Sequence, residues 1–362
     1  MQRRNFLKTL GAGAAGVAAA PFVSTAKAQE TITWDMVTSW PRNFPALGTG
    51  ANEFAQRVEA LSGGRMRIRV HGAGELVPAM EVFDAVAAGT AEMGHSAAYY
   101  WRGKVAASQF FTAVPFGMNT TETNAWLYHG GGQELWDEIY AKHNLKPFAV
   151  GNTGTQMAGW FKKEINSLSD MQGIRLRLPG LAGEAMNRIG VTTVNMPASE
   201  IFTSLQTGVL DAADWVGPYN DMALGLHQVT DYYYTSVWNE PSAVLEGTVN
   251  LDAWNALPDD LKAVVREAAK ASNLSMISEF AYRNAQALET LVEEHGVQLR
   301  TFPEDVMQAL YEASMEVVQA QVDGDPESKQ VYDSYLAFQK LVRPFSDIGE
   351  YAYLKSRDAV GA

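Results

Sequence analysis

Between residues 31 and 95 the chain alternates strand and helix patterns, and few folds accept that alternation. Residues 31–37 read as a strand, and Leu47, Ala51, Phe54, Ala55, Val58 and Leu61 then recur at helical spacing until Gly63-Gly64 stops them. Met66, Ile68 and Val70 alternate with Arg65, Arg67 and Arg69 in a second strand, and residues 79–88 form a second helix leading into a third strand at 89–95. Strands separated by helices pair mostly in parallel, and ligands of such sheets bind beyond the strand C-termini. The ends of the strands are therefore the places to search for function. The third strand runs into a segment containing Tyr99 and Tyr100, of which Tyr100 is the candidate ligand neighbour. A fourth strand, 145–151, emerges into Asn152-Thr153-Gly154-Thr155-Gln156, where Asn152 and Gln156 offer hydrogen bonds at a cleft mouth or satisfy their own backbone.

The stretch 173–218 concentrates the remaining signals. Ile174, Leu176 and Leu178 alternate with Arg175 and Arg177, a half-buried strand ended by Pro179-Gly180. An arginine at such a position is a fixed fork for a carboxylate, although strand arginines are more often solvated. Acids follow at Asp214-Trp215 and in Trp238-Asn239-Glu240-Pro241, where the proline holds Glu240 extended. Residues 258–295 read as one helix roughly 55 Å long, more than a single lobe can accommodate, with a break near Ser272-Asn273 as the alternative. A strand at 297–302, a helix at 304–322 and a tail helix at 327–342 complete the chain. Val331, Tyr335, Phe338, Leu341 and Val342 give the tail an apolar face that needs a partner, on its own chain or on a second copy.

Composition narrows the function classes. The first 28 residues, with Arg3-Arg4, an apolar small-residue run and Ala26-Lys27-Ala28, read as a twin-arginine export signal, and the Gly11–Gly16 pattern inside it follows no strand and is no dinucleotide site. Loss of four basic residues with that leader deepens a formal net charge of −13, which argues against nucleic acid as a partner. There is no cysteine, so thiolate chemistry and disulfides are excluded. The six histidines show no ligand spacing, and neither HExxH nor GxSxG occurs. The competing class is a periplasmic enzyme exported folded and acting on a small carboxylate.

The stretch 173–218 resembles the central part of the DctP family, the periplasmic substrate-binding proteins of TRAP (tripartite ATP-independent periplasmic) transporters. The match lies in the strand Gly173-Ile174-Arg175-Leu176-Arg177-Leu178, in Met196-Pro197-Ala198-Ser199-Glu200 and in residues 208–214, where Ala212 replaces the usual glycine. It covers roughly residues 30–303. The resemblance implies an α/β, two-lobed binding protein with mixed sheets, a long helix spanning both lobes and an extra C-terminal helix. It divides the chain into the signal at 1–28, mainly lobe 1 at 29–151, mainly lobe 2 with strand exchange at 152–250, the spanning helix and return strand at 251–303, and C-terminal helices at 304–362 suited to dimerisation.

The same resemblance assigns site roles. Arg177 clamps the substrate carboxylate, Tyr100 and Trp215 cover it, and Asn152 adds a hydrogen bond. Asp214 orients this shell or bonds the ligand. Two carboxylates beside an anion repel it unless a cation lies between them. Gln156, Glu240 and the Trp215 carbonyl make an all-oxygen set suited to Na⁺, with Ca²⁺ as the alternative. The branch of the family that binds 2-oxo and 2-hydroxy monocarboxylates shares this bridging ion. The implied partners are a small 2-oxo acid such as pyruvate, the membrane permease subunits and a second copy of the chain.

Overall fold

In chain order the strands are β1 (Ile32–Thr38), β2 (Met66–His71), β3 (Met93–Ser96), β4 (Leu145–Asn152), β5 (Gly159–Phe161), β6 (Arg175–Arg177), β7 (Thr192–Val194), β8 (Ala212–Ala213), β9 (Tyr232–Tyr234), β10 (Val244–Asn250) and β11 (Gln298–Arg300). This computed structural model describes residues 31–235 and 237–361. The export signal expected over 1–28 lies outside the described residues.

The strands form two mixed sheets, in the orders β2-β1-β3-β10-β4 and β11-β9-β5-β8-β6-β7. In the first sheet β1 runs parallel to β2 and β3, while β10 lies antiparallel between β3 and β4. In the second, β6 is parallel to β7 and β8, β11 is parallel to β9, and β5 lies antiparallel between β8 and β9. Each sheet thus holds one reversed strand, β10 in the first and β5 in the second, and both are entered by a short segment from the other sheet, while β11 is reached from β10 through the long helix. The chain leaves β4 at Asn152 and enters β5 at Gly159, then leaves β9 at Tyr234 and returns at Val244. Both crossings join the C-terminal end of one sheet to the start of a reversed strand in the other, so they meet where parallel strands present ligands.

The two crossings are bonded to each other. Thr153 N–H donates to the Ala243 carbonyl (3.0 Å) and Gln156 N–H to the Glu240 carbonyl (3.1 Å). Asn239 Nδ2 donates to the Met157 carbonyl at 3.3 Å.

The long helix runs unbroken as Asp259–Glu293, 35 residues or about 52 Å. Asn273 does not interrupt it because its amide is used sideways, donating to Asn124 Oδ1 (2.9 Å) and to Tyr128 OH (2.8 Å) on the helix Thr120–His129. Its first half packs Leu261, Val265, Ala268 and Ala269 with the first sheet's Met36, Met93, Phe148 and Val150. Its second half packs Met276, Phe280 and Leu291 with Trp160 and Tyr233 of the second sheet. One helix therefore serves both cores.

The chain ends in helices Glu304–Gly324, Pro326–Ile348 and Glu350–Val360; the sequence reading stopped at residue 342 and did not set the last apart. The apolar tail face divides. Val331 and Tyr335 are buried on their own chain, and Tyr335 OH accepts from Met118 N–H (2.6 Å), whereas Leu341, Phe345 and Ile348 are 75, 72 and 77% exposed. Among the described residues no helix is long and apolar enough to cross a membrane.

Candidate functional site

Arg177 closes β6 and is 1% exposed, while Arg175, two residues earlier on the same strand face, reaches solvent and pairs with Asp211 (2.7 Å). Alternation places both guanidinium groups on one face, and their depth in the sheet decides their fates. Arg177 Nη1 donates to the Asp214 carbonyl (2.8 Å), Nη2 to Tyr100 OH (3.2 Å) and Nε to the Met196 carbonyl (3.4 Å). Three of its five N–H groups are used, leaving one on each terminal nitrogen, which is what a bidentate carboxylate requires. The guanidinium also lies 4.7 Å from the centre of the Trp215 ring. Burial opposes its charge, but Tyr100, Tyr99, Asp214 and Glu240 outweigh that and raise its pKa.

Asp214, just past β8, and Glu240, in the second crossing, are the buried carboxylates within electrostatic reach of this cation. Asp214 Oδ1 accepts from Asn239 Nδ2 (3.2 Å), and its Oδ2 lies 3.8 Å from Arg177 Nη1. Burial pushes both carboxyls above their ordinary range; Arg177 offsets this in each, and Asp214 adds to the shift of Glu240. One guanidinium does not balance two buried carboxylates.

The unmet hydrogen-bonding groups tell the same story. Gln156 Oε1, Asp214 Oδ2, Asn239 Oδ1 and Glu240 Oε2 are buried oxygens with no hydrogen-bond partner, and Trp215 Nε1 is a buried donor without one. Among the described residues no backbone N–H reaches the Trp215 carbonyl. Buried polar atoms are normally paired, so unpaired buried oxygens along one seam favour a group that supplies positive charge. These oxygens are hard donors of the kind that fit Na⁺ or Ca²⁺.

The cavity beside them is lined by Trp40, Leu47, Tyr99, Tyr100, Thr153, Gln156, Trp215, Val216 and Leu245. It leaves only about 10 Å³ for the centre of a water molecule, so the walls are drawn close. Two larger surface hollows, about 290 Å³ at Phe161, Lys162 and Asp211 and about 270 Å³ at Lys146, Phe148 and Arg266, contain none of the unpaired buried atoms.

The structure brings Arg177, Tyr100, Gln156, Asp214, Trp215 and Glu240 to this seam. Asn152 Nδ2 donates to Ser242 Oγ (2.9 Å) and its Oδ1 accepts from Gly154 N–H (2.8 Å), so the side chain closes its own turn and ties the crossings together, with one amide hydrogen left over. Sequence reasoning overlooked Trp40, although it follows the C-terminal end of β1 as Tyr100 follows β3. Trp40 Nε1 donates to His95 Nδ1 (2.6 Å), and its ring meets Trp215 edge-on at 6.3 Å. Burial lowers the His95 pKa to about 4, which keeps the imidazole neutral and able to accept that bond. Asn239 lay beside a selected residue and was passed over. Asp221 gave no local signal.

Two mixed sheets joined by a double crossing, with a buried cationic fork and unmet oxygens at the seam, define a protein built to enclose a small solute. Residues 36–325 match the bacterial extracellular solute-binding protein family 7, DctP. The chain is 40% identical over 360 residues, 98% of each protein, to the monocarboxylate 2-oxoacid-binding periplasmic protein of Nostoc sp.. It also resembles a TRAP periplasmic solute-binding protein of Pseudoalteromonas atlantica with bound sodium and pyruvate (TM-score 0.88, 39% identity, covering 90% of this chain and 99% of that one). A TRAP solute-binding protein of Bordetella bronchiseptica, a dimer with calcium and picolinate in one site, is similar at TM-score 0.89 and 35% identity, covering 91% of this chain and 98% of that one. The chain belongs to the DctP family of solute-binding proteins.

Proposed function

We propose that this protein is the periplasmic solute-binding component of a TRAP transporter and carries a short 2-oxo monocarboxylate, pyruvate or a near homologue, to the membrane permease. The observation that carries the reading is a buried guanidinium with two N–H groups to spare on the same seam as four unpaired buried oxygens. Arg177 grips the carboxylate through both oxygens. Gln156, Glu240 and the Trp215 carbonyl hold a hard cation, Na⁺ or Ca²⁺, which supplies the charge that links these oxygens to the ligand. Tyr100 and Trp215 cover the carboxylate, and Asp214 orients the guanidinium through its carbonyl and Asn239 through its carboxyl.

The relatives' ligands support this chemistry. Pyruvate and picolinate, the small molecules bound in the two similar structures, both carry a donor atom on the carbon next to the carboxylate, so each can close a five-membered chelate ring. The shared ligand feature is that second donor, which a simple aliphatic acid lacks. The export signal at 1–28 and the periplasmic location belong to the same reading, as do the lobe boundaries at 29–151 and 152–250. So does a homodimer formed through the exposed Leu341, Phe345 and Ile348.

The test is thermal unfolding of the mature, dialysed protein with pyruvate, 2-oxobutyrate, lactate, malate or a sugar acid, each with and without Na⁺ and Ca²⁺. A ligand at a hundred times its dissociation constant adds about 2.7 kcal/mol, which raises the midpoint by several degrees. A cation-dependent shift with short 2-oxo acids is the expected result. A shift confined to malate or the sugar acid removes the 2-oxo assignment, and no shift with any acid removes the solute class.

A further inference from the structure

We infer that Asp221 is a positioning residue for the ligand site, fixing the Trp215 carbonyl by tying the turn 215–217 to the aromatic pair on β5 and β9. This rests on the solute-binding reading above. Asp221 is 1% exposed and touches neither the cavity nor the Arg177 guanidinium by hydrogen bond. Its carboxylate is nevertheless fully engaged. Oδ1 accepts from Val216 N–H and Gly217 N–H, both at 3.1 Å. Oδ2 accepts from Trp160 Nε1 (2.9 Å) and Tyr233 OH (2.7 Å). Trp160 and Tyr233 are register partners across β5 and β9, and their rings stack at 3.9 Å and 15°.

A carboxylate needed only to cap the short helix Pro218–Ala223 would spend itself on the backbone amides. Asp221 divides its oxygens instead, one for the turn and one for the sheet. The turn is held from its other side as well, because the Val216 carbonyl accepts from Met157 N–H (3.1 Å) in the first crossing. With Val216 and Gly217 fixed through N–H and C=O, the preceding carbonyl of Trp215 has a set direction, and it is the one backbone oxygen the cation site uses. Preorganisation of this kind matters most for a hard cation, whose ligands must converge within a few tenths of an ångström.

The experiment removes the two sheet donors singly and leaves the bonds from Val216 and Gly217 N–H intact. Tyr233→Phe and Trp160→Phe keep the stacked rings, and Asp221→Asn alters the hub. Pyruvate binding is measured by calorimetry across a series of Na⁺ and Ca²⁺ concentrations, and amide hydrogen exchange of a peptide containing Met157 is followed in the protein without pyruvate. Tyr233→Phe is expected to weaken pyruvate about tenfold at low cation and less at saturating cation, with Asp221→Asn weaker still, and to speed exchange at Met157. A lowered melting temperature with unchanged affinity, cation dependence and Met157 exchange overturns the inference. If the wild type takes up no 2-oxo acid with either cation, the solute assignment fails, and the exchange measurement alone decides whether Asp221 sets the turn.

Discussion

At the scale of single residues the site is governed by how few charges balance one another. Arg177 supplies a planar fork, and lysine would present one point charge in its place. Arg177→Lys is therefore expected to weaken pyruvate by about 10- to 100-fold in calorimetry while the fold survives; near-normal affinity would remove Arg177 from the clamp. Glu246 offers a separate test away from the seam. Its buried carboxylate accepts from Trp101 Nε1 and from Tyr140 OH (2.9 Å), yet burial pushes its pKa from 4.5 to about 7. The folded state holds this proton more tightly than the unfolded one, so the contribution is full below about pH 4.5 and is lost as pH rises through about 7. Glu246→Gln should flatten the fall in unfolding free energy across that window relative to the wild type, and an unchanged slope would refute the shift. Arg177 and Asp214 stand out in the sequence as a strand's last residue and the residue just past one, and Glu240 because it precedes a proline, whereas the roles of these residues and of Gln156 come from the family resemblance. Asn152 ends β4 and its amide ties the turn that follows, a pairing that residue type and position do not give by themselves. Asp221 depends on Trp160, 61 residues away, and nothing local marks it.

Among the elements, the helix Gly180–Arg188 must lie close to the strand that carries Arg177. A β-carbon added at Gly183 would stand 2.3 Å from the Leu178 carbonyl oxygen, a backbone atom that cannot swing aside. Gly183→Ala is expected to cost about 1–3 kcal/mol in denaturant unfolding and to lower pyruvate affinity by displacing β6. Full stability and affinity in that variant would show that the helix can slide without disturbing the strand. The long helix was legible because its apolar positions persist over many turns with Gly296 beyond its end. The strand order was not, because no local pattern marks β5 and β10 as the two that run backwards.

On the scale of the whole molecule, the exposed end of the Pro326–Ile348 helix is the face that the proposed dimer would cover. Phe345→Glu with Ile348→Glu should convert the expected dimer to a monomer in sedimentation velocity without altering pyruvate affinity, because both side chains lie outside the cavity. A wild type that sediments as a monomer would leave this face without a role in self-association. The double crossing reaches beyond the folded state. β10 pairs with β3 and β4 through contacts such as Val249 with Met93 and Lys146, so the first sheet is completed by residues that leave the ribosome about 150 positions after β3. Until then β3 offers an open edge to any passing chain. A polypeptide arrested before Val244 carries strands from both sheets and completes neither, so synthesis must treat the two sheets as one indivisible unit.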